Sequence, residues 1–241
     1  MITHAVIFSP IGQSSRSDQI IQRLANAIIS GLLSANEQLP NEADLARMMG
    51  VSHITIREAL NTLRARGLIY TARGRNGGSF VADSVQKEAA PEDPFYNIST
   101  EYLSDLGEWH SAIFCHATRL AATRMTEKDR QGLTEFIDVL EQSDSPELRC
   151  QSDMRCLLTI AANSQSARIA HQELMIQAEW AALVTILYQS EAFHRQIVDD
   201  YRHLLAAFRA QDELLAAKVA GTLIDHFTTR LIEFKFSVQT L

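Results

Sequence analysis

Between Asn41 and Gly77 the sequence gathers cationic and polar side chains suited to gripping a nucleic acid, not to making or breaking bonds. In VSHITIREALNTLRARGLIY an outer helix face carries His53, Thr55, Arg57, Asn61 and Arg64, with Ser52 just ahead of it. Arginine presents a planar fork that matches a phosphate or a guanine edge bidentately. Further on, TARGRNGGSF sets Arg73 and Arg75 beside Gly74, and Gly77 beside Gly78. Glycine lets a backbone approach a ligand closely. Any one of these arginines could equally belong to a solvated helix or a loose hairpin; the whole constellation points to binding. Catalytic patterns are missing: the sequence has no HExxH and no Ser/His/Asp order. The glycine cluster precedes a strand instead of opening a helix, so it is no nucleotide loop.

The elements that must hold these residues follow from apolar spacing and turn signals. Ser17 to Ser30 repeats Ile20, Ile21, Leu24, Ala27 and Ile28 on one side, a helix that stops near Gly31. Leu39-Pro40 breaks the chain, and Asn41 caps a second helix with Asp44 at its third position. Leu45, Ala46 and Met49 face inward there, and Gly50 ends it. Ser52 caps a third helix that turns Ile56, Ala59, Leu60 and Leu63 inward and stops at Gly67. Leu68 to Ala72 and Ser79 to Ala82 read as two strands about a glycine-rich turn. That order is a winged helix-turn-helix, whose second helix of the pair enters the major groove N-terminal end first.

Beyond it, Gln86 to Pro94 is a polar, proline-containing linker. The remaining pattern is helical: Tyr102 to Met125, Glu127 to Ser143, Glu147 to Ala162, Ser166 to Ser190, His194 to Gln211 and Asp212 to Phe236. The expected fold is therefore mainly α. It comprises an N-terminal extension (1–15), a winged helix-turn-helix of three helices and a β-hairpin (16–83), a linker (84–96) and an all-α bundle (97–241).

The net charge of −7 argues against nucleic acid only as an average. Up to Asp83 there are eight basic and six acidic residues and no lysine; the remainder carries 14 basic against 23 acidic. A sign difference between parts of one chain points to a basic reading head on an acidic body. Cys115, Cys150 and Cys156 lack metal-type spacing and fit a reducing cytoplasm. No signal peptide and no span of about 18 apolar residues is read, so no membrane partner is expected.

The segment from Ser17 to Val81 resembles the DNA-binding domain of the GntR family of bacterial transcription regulators. The residues that carry the likeness are "IIQRLANAIISGLL", "LPNEADLARMMGVSHITIREALNTLRARGLI" and "GRNGGSFV". The helical part resembles the FCD-like effector domain of the FadR-type branch, through "DLGEWHSAIFCHATRLAATRMT", "SDMRCLLTIAANSQSARI", "DYRHLLAAFRAQD" and the late His226. The resemblance implies a homodimer on a palindromic double-stranded operator, and a small-molecule effector, an organic acid, in the helical domain. It implies DNA contact by Asn41, Ser52, His53, Thr55, Arg57, Asn61, Arg73, Arg75 and Gly77. Two family arginines are replaced, by Ala43 and His53, so fewer phosphate contacts and a shallower salt dependence are expected.

Many relatives hold a divalent metal through an Asp, a His four residues on, and one His from each of two later helices. The aligned residues here are Asp153, Leu157, Tyr201 (or His203 two residues on) and His226. Only Asp153 and His226 remain as metal ligands, an incomplete set. The readings beside that are a buried acid bonded to a tyrosine, or a helix-surface acid, for Asp153, and a satisfied core histidine for His226. His110 replaces a family arginine and Phe114 a glutamate, which makes the cavity more apolar. The implied effector-binding groups are His110, Arg119, Asp153, Tyr201 and His226. The ligand is then a carboxylic acid with a larger apolar body, acyl or aromatic, or the pocket has lost its ligand. Competing classes are a helical interaction protein with a vestigial DNA module and a metal-dependent enzyme.

Histidine is charged only below about pH 6.5. A contact that a relative makes with arginine should therefore return at His53 as the pH falls. Operator affinity is expected to rise between pH 8 and pH 6. Equal affinity across that range, or an unaltered pH response in His53→Ala, would refute this.

Overall fold

The computed structural model describes residues 8, 16–29, 31–72, 77–83, 95 and 98–239. The chain divides into two compact units, Met1–Pro91 and Glu92–Leu241. Of the expected N-terminal extension only Phe8 is described, and of the linker only Phe95; Arg73 and Arg75 also lie outside the described residues.

In the first unit, α1 (Arg16–Ile29) buries Ile20, Leu24, Ala27 and Ile28 against α3 (His53–Ala65). Gly31 follows with a φ of 75°, a left-handed turn that favours glycine. Helix α2 (Glu42–Met49) begins where Asp44 N–H donates to Asn41 Oδ1 at 2.8 Å. It ends at Gly50, φ 67°, whose N–H reaches the Ala46 carbonyl. Ser52 Oγ accepts the Thr55 N–H at 3.1 Å and opens α3. Each cap satisfies a backbone donor that would otherwise be orphaned. Strand β1 (Ile69–Ala72) pairs antiparallel with β2 (Gly78–Val81), Tyr70 opposite Phe80, their rings 5.6 Å apart. The chain ahead of α2 joins this hairpin: Leu39 N–H donates to Ser79 O, and Val81 N–H to Glu37 O. The wing is thereby sewn to the helix pair.

The second unit is all helical among its described residues. It comprises α4 (Thr100–Arg124), α5 (Glu127–Gln142), α6 (Pro146–Asn163), α7 (Ala167–Val184), a 3-10 turn (Thr185–Gln189), α8 (Glu191–Ala210) and α9 (Glu213–Gln239). Ser99, Thr126, Ser145, Ser166 and Ser190 each cap the helix that follows. The expected single helix over Ser166 to Ser190 is in fact two pieces. Thr185 Oγ1 bonds back to the Ala181 carbonyl at 2.8 Å, and the buried Arg149 guanidinium takes the Tyr188 carbonyl at 3.0 Å. Both compete with the regular ladder, and the last five residues tighten to 3-10 geometry. Ser190 can then cap α8, which starts three residues before the expected His194.

Helices α4 and α9 form the most extensive pair. They approach so closely at Gly107 that a Cβ there would lie 2.4 Å from Thr228 Oγ1 and 2.5 Å from its Cγ2. Rotating Thr228 about χ1 exchanges one γ atom for the other and relieves nothing. Gly107→Ala should therefore cost about 1–3 kcal/mol in urea unfolding, as overpacked cores do. Thr228→Ala in the same chain should recover most of that loss; no recovery would show that the helix contact is not the cause.

Candidate nucleic-acid interface and sensor core

Burial fixes the rotation of α3. Ile56, Ala59, Leu60 and Leu63 are sealed inward, so His53, Ile54, Arg57, Glu58 and Asn61 face solvent. Thr55 is half-buried, with its hydroxyl 2.8 Å from Ser52 Oγ, and these two side chains brace the first turn. The cations on this surface are held by the chain's own partners. Arg57 donates through Nε and Nη2 to Glu42 Oε2 at 3.2 and 3.1 Å, which ties α3 to α2. Arg47 pairs with Asp44 at 2.7 Å, and Arg64 bonds Asn61 Oδ1. Exposed pairs of this kind contribute about 0–1 kcal/mol, so an incoming phosphate can displace the acid. Asn41 acts as the α2 cap, and Gly77 sits directly ahead of β2 at the turn end of the hairpin, where its carbonyl accepts from Gln38 Nε2 at 3.3 Å.

In the second unit His110, Asp153 and Tyr201 are fully buried. Tyr201 Oη donates to Asp153 Oδ1 at 2.5 Å. Burial pushes the Asp153 carboxyl up to about 7, against the pull of that hydrogen bond. Burial likewise lifts the Tyr201 hydroxyl well above its ordinary range. His110 Nε2 lies 2.9 Å from Glu173 Oε1, which also accepts from Gln177 Nε2 at 2.6 Å. The ring of Trp180 meets His110 edge-on at 4.5 Å, and Phe114 and Phe227 enclose them. His110 Nδ1, Glu173 Oε2, Gln177 Oε1 and Trp180 Nε1 are buried with no hydrogen-bond partner among the described residues. Groups left so normally meet water or a ligand. Sequence reasoning missed Glu173 and Gln177. Four residues apart on α7, they share a face, but only the fold brings that face to His110.

The other two expected effector groups stand apart from this cluster's bonds. Arg119 pairs with Glu213 at 2.8 Å, and its side chain is 40% exposed. His226 Nδ1 pairs with Asp200 Oδ2 at 2.7 Å. A resident divalent metal does not fit these residues. Leu157 offers no donor and Tyr201 already bonds Asp153; with Nδ1 bonded to Asp200, His226 has only Nε2 to offer a metal. Among the described residues no three His, Cys, Asp or Glu side chains gather as a metal site.

The family description "Bacterial regulatory proteins, gntR family" matches residues 16–81, and "FCD domain" matches residues 105–226, half of the chain. The chain belongs to the GntR family and carries an FCD domain. The HTH-type transcriptional regulator RmpR of Mycobacterium gastri is 38% identical over 174 residues, 72% of this chain; the match spans 64% of RmpR. The HTH-type transcriptional regulator Rv0494 of Mycobacterium tuberculosis is 24% identical over 94% of both chains. E. coli McbR/YncC is a structural neighbour at TM-score 0.55 and 20% identity, covering 92% of this chain and 99% of its own, a likeness of fold. GntR-family regulators bind DNA and FCD domains bind small-molecule effectors, so this GntR-family chain is a transcription regulator and not an enzyme. No described helix is long and apolar enough to cross a membrane.

Within the FCD domain the Asp153–Tyr201 pair sets a pH dependence. The folded carboxyl holds its proton more tightly than the unfolded chain, where Asp titrates near about 3.9. Its contribution to stability is thus fully present below about pH 4 and is lost as the pH rises through about 7. The stability difference between wild type and Asp153→Asn should fall across that window and level off above it. Tyr201→Phe should cost a further 1–3 kcal/mol, roughly the price of an unsatisfied buried acceptor. Parallel urea titrations from pH 4 to pH 8 check both; a flat difference would refute the assignment.

Proposed function

We propose that the chain acts as a homodimer on a palindromic operator, reading each half-site with α3 and the wing, and that it represses transcription there by occluding the DNA. In this reading residues 16–83 are the DNA-binding unit and residues 97–241 the effector-binding and dimerisation unit of a cytoplasmic regulator. The observation that carries it is the rotation of α3: four sealed apolar residues leave His53, Arg57 and Asn61 outward behind a capped N-terminus. Asn41, Ser52, Thr55 and Gly77 shape and hold that surface, and the reading adds Arg73 and Arg75 from the sequence alone, since both lie outside the described residues. One such unit makes too few contacts for tight specific binding, and a two-fold protein reads a two-fold site.

The effector reading follows from the aromatic enclosure of His110 and the full burial of Asp153 and Tyr201. The buried cations of this unit, Arg149 and Lys235, are bound to carbonyls, and Arg149 also to Glu191. A small dicarboxylate would bring two charges into rings beside which no described residue of this unit offers a buried, uncommitted Arg or Lys. An organic acid with an apolar body fits better, and it binds without a metal.

Selection of bound fragments from a random duplex library, with sedimentation of the complex, tests this reading. Two-fold sites carrying two chains are expected. Weak binding without sequence preference would favour the vestigial-module reading instead. Salt titration adds a quantitative check on the replaced arginines. Ala43→Arg and His53→Arg should each steepen the slope of log K against log salt by about 1.8, one added phosphate contact per half-site. An unchanged slope would mean that these positions do not face phosphate.

A further inference from the structure

Ile54 is 68% exposed although it is large and apolar. Single exposed apolar residues are common and need no explanation by themselves. Its place on α3 is what distinguishes this one. At about 100° per residue, Ile54 falls within roughly 10° of the direction opposite the centre of Ile56, Ala59, Leu60 and Leu63. It is therefore the most outward position of the first turn. Its polar neighbours are already committed: Ser52 caps the helix, Thr55 bonds Ser52, and Arg57 is drawn toward Glu42. In a helix that enters the major groove N-terminal end first, the outward residue of the first turn meets base edges. The apolar feature of a major-groove edge is the C5-methyl of thymine.

We propose that Ile54 is a specificity-determining residue that packs on the C5-methyl group of one thymine in each operator half-site. This rests on the reading of α3 as the helix that faces DNA. It explains why an isoleucine is tolerated at the tip of an otherwise polar surface. The side chain gains burial only on the correct base pair, because cytosine, guanine and adenine offer no methyl there. Ile54 contributes to sequence choice and adds nothing to the salt-dependent term, which the arginines supply.

The test uses the full chain and the two-fold site recovered by fragment selection. Each thymine of a half-site is replaced in turn by deoxyuridine, which lacks only the methyl group. Wild type should lose about fourfold in affinity per half-site at a single position, the weight of one buried methyl. Ile54→Ala should bind the thymine and uracil duplexes equally, with the same salt slope as wild type. Ile54 is exposed, so the variant keeps its core, and circular dichroism confirms that. Two outcomes overturn the proposal: no position sensitive to uracil in wild type, or the same sensitivity retained in Ile54→Ala. If no specific site is recovered from the library at all, the underlying reading of α3 fails as well, a separate and recognisable result.

Discussion

The burial of four side chains on α3 is the constraint from which the surface proposed to face DNA follows. Ile56, Ala59, Leu60 and Leu63 are 0–1% exposed, packed against α1 and α2. A helix has one free rotation about its axis, and burial of its apolar stripe removes it. Everything outward on α3 is then determined, including which of its cations can reach a groove. The caps at Asn41 and Ser52 fix where each helix starts, and Gly50 at φ 67° fixes the turn between them.

A different constraint governs the helical unit. The helical unit pairs a close approach of α4 and α9 at Gly107 with an aromatic cluster: Phe114 of α4 and Trp180 of α7 meet the His110 ring, and Phe227 of α9 meets Trp180. Polar groups persist among them, and they pair with one another first: Asp153 with Tyr201, His110 with Glu173, Gln177 with Glu173. Networks of this sort specify one arrangement when satisfied and are unstable when half satisfied. Among the described residues Glu173 Oε2, Gln177 Oε1 and Trp180 Nε1 take no part in these pairings.

Much of the first unit was legible because its signals are local. Asn41, Gly50, Ser52 and Gly67 each act within four residues, and the apolar periods of α1 to α3 are short and regular. Ile54 escaped notice for the opposite reason. An isoleucine inside a helical pattern reads as core until the rotation is known. In the second unit the helices were legible and their ends less so. The 3-10 turn at Thr185–Gln189 depends on Arg149, nearly forty residues earlier in the chain. The pairing of His110 with Glu173 spans 63 residues, and polar residues on an amphipathic helix read as surface by default. Arg119 and His226 aligned with a pocket, yet their nearest partners are Glu213 and Asp200, neighbours that alignment of single columns does not reveal.

Weak phosphate contact need not mean weak discrimination. The electrostatic term acts on every duplex alike and supplies most of non-specific binding. Replacing family arginines by Ala43 and His53, and holding Arg57 and Arg47 in ion pairs with Glu42 and Asp44, lowers that term for correct and incorrect sites together. Base-edge contacts are untouched by the change, so the ratio between the two kinds of site is preserved while the whole scale moves down. Release by a small effector, as proposed for this chain, is favoured by such a lowering. Coupling between two sites is typically about 1–3 kcal/mol, and a complex of moderate affinity is emptied by that amount where a very tight one is not. In the proposed reading the net acidic charge beyond Asp83, 23 acidic against 14 basic residues, also lowers the chain's attraction for any duplex.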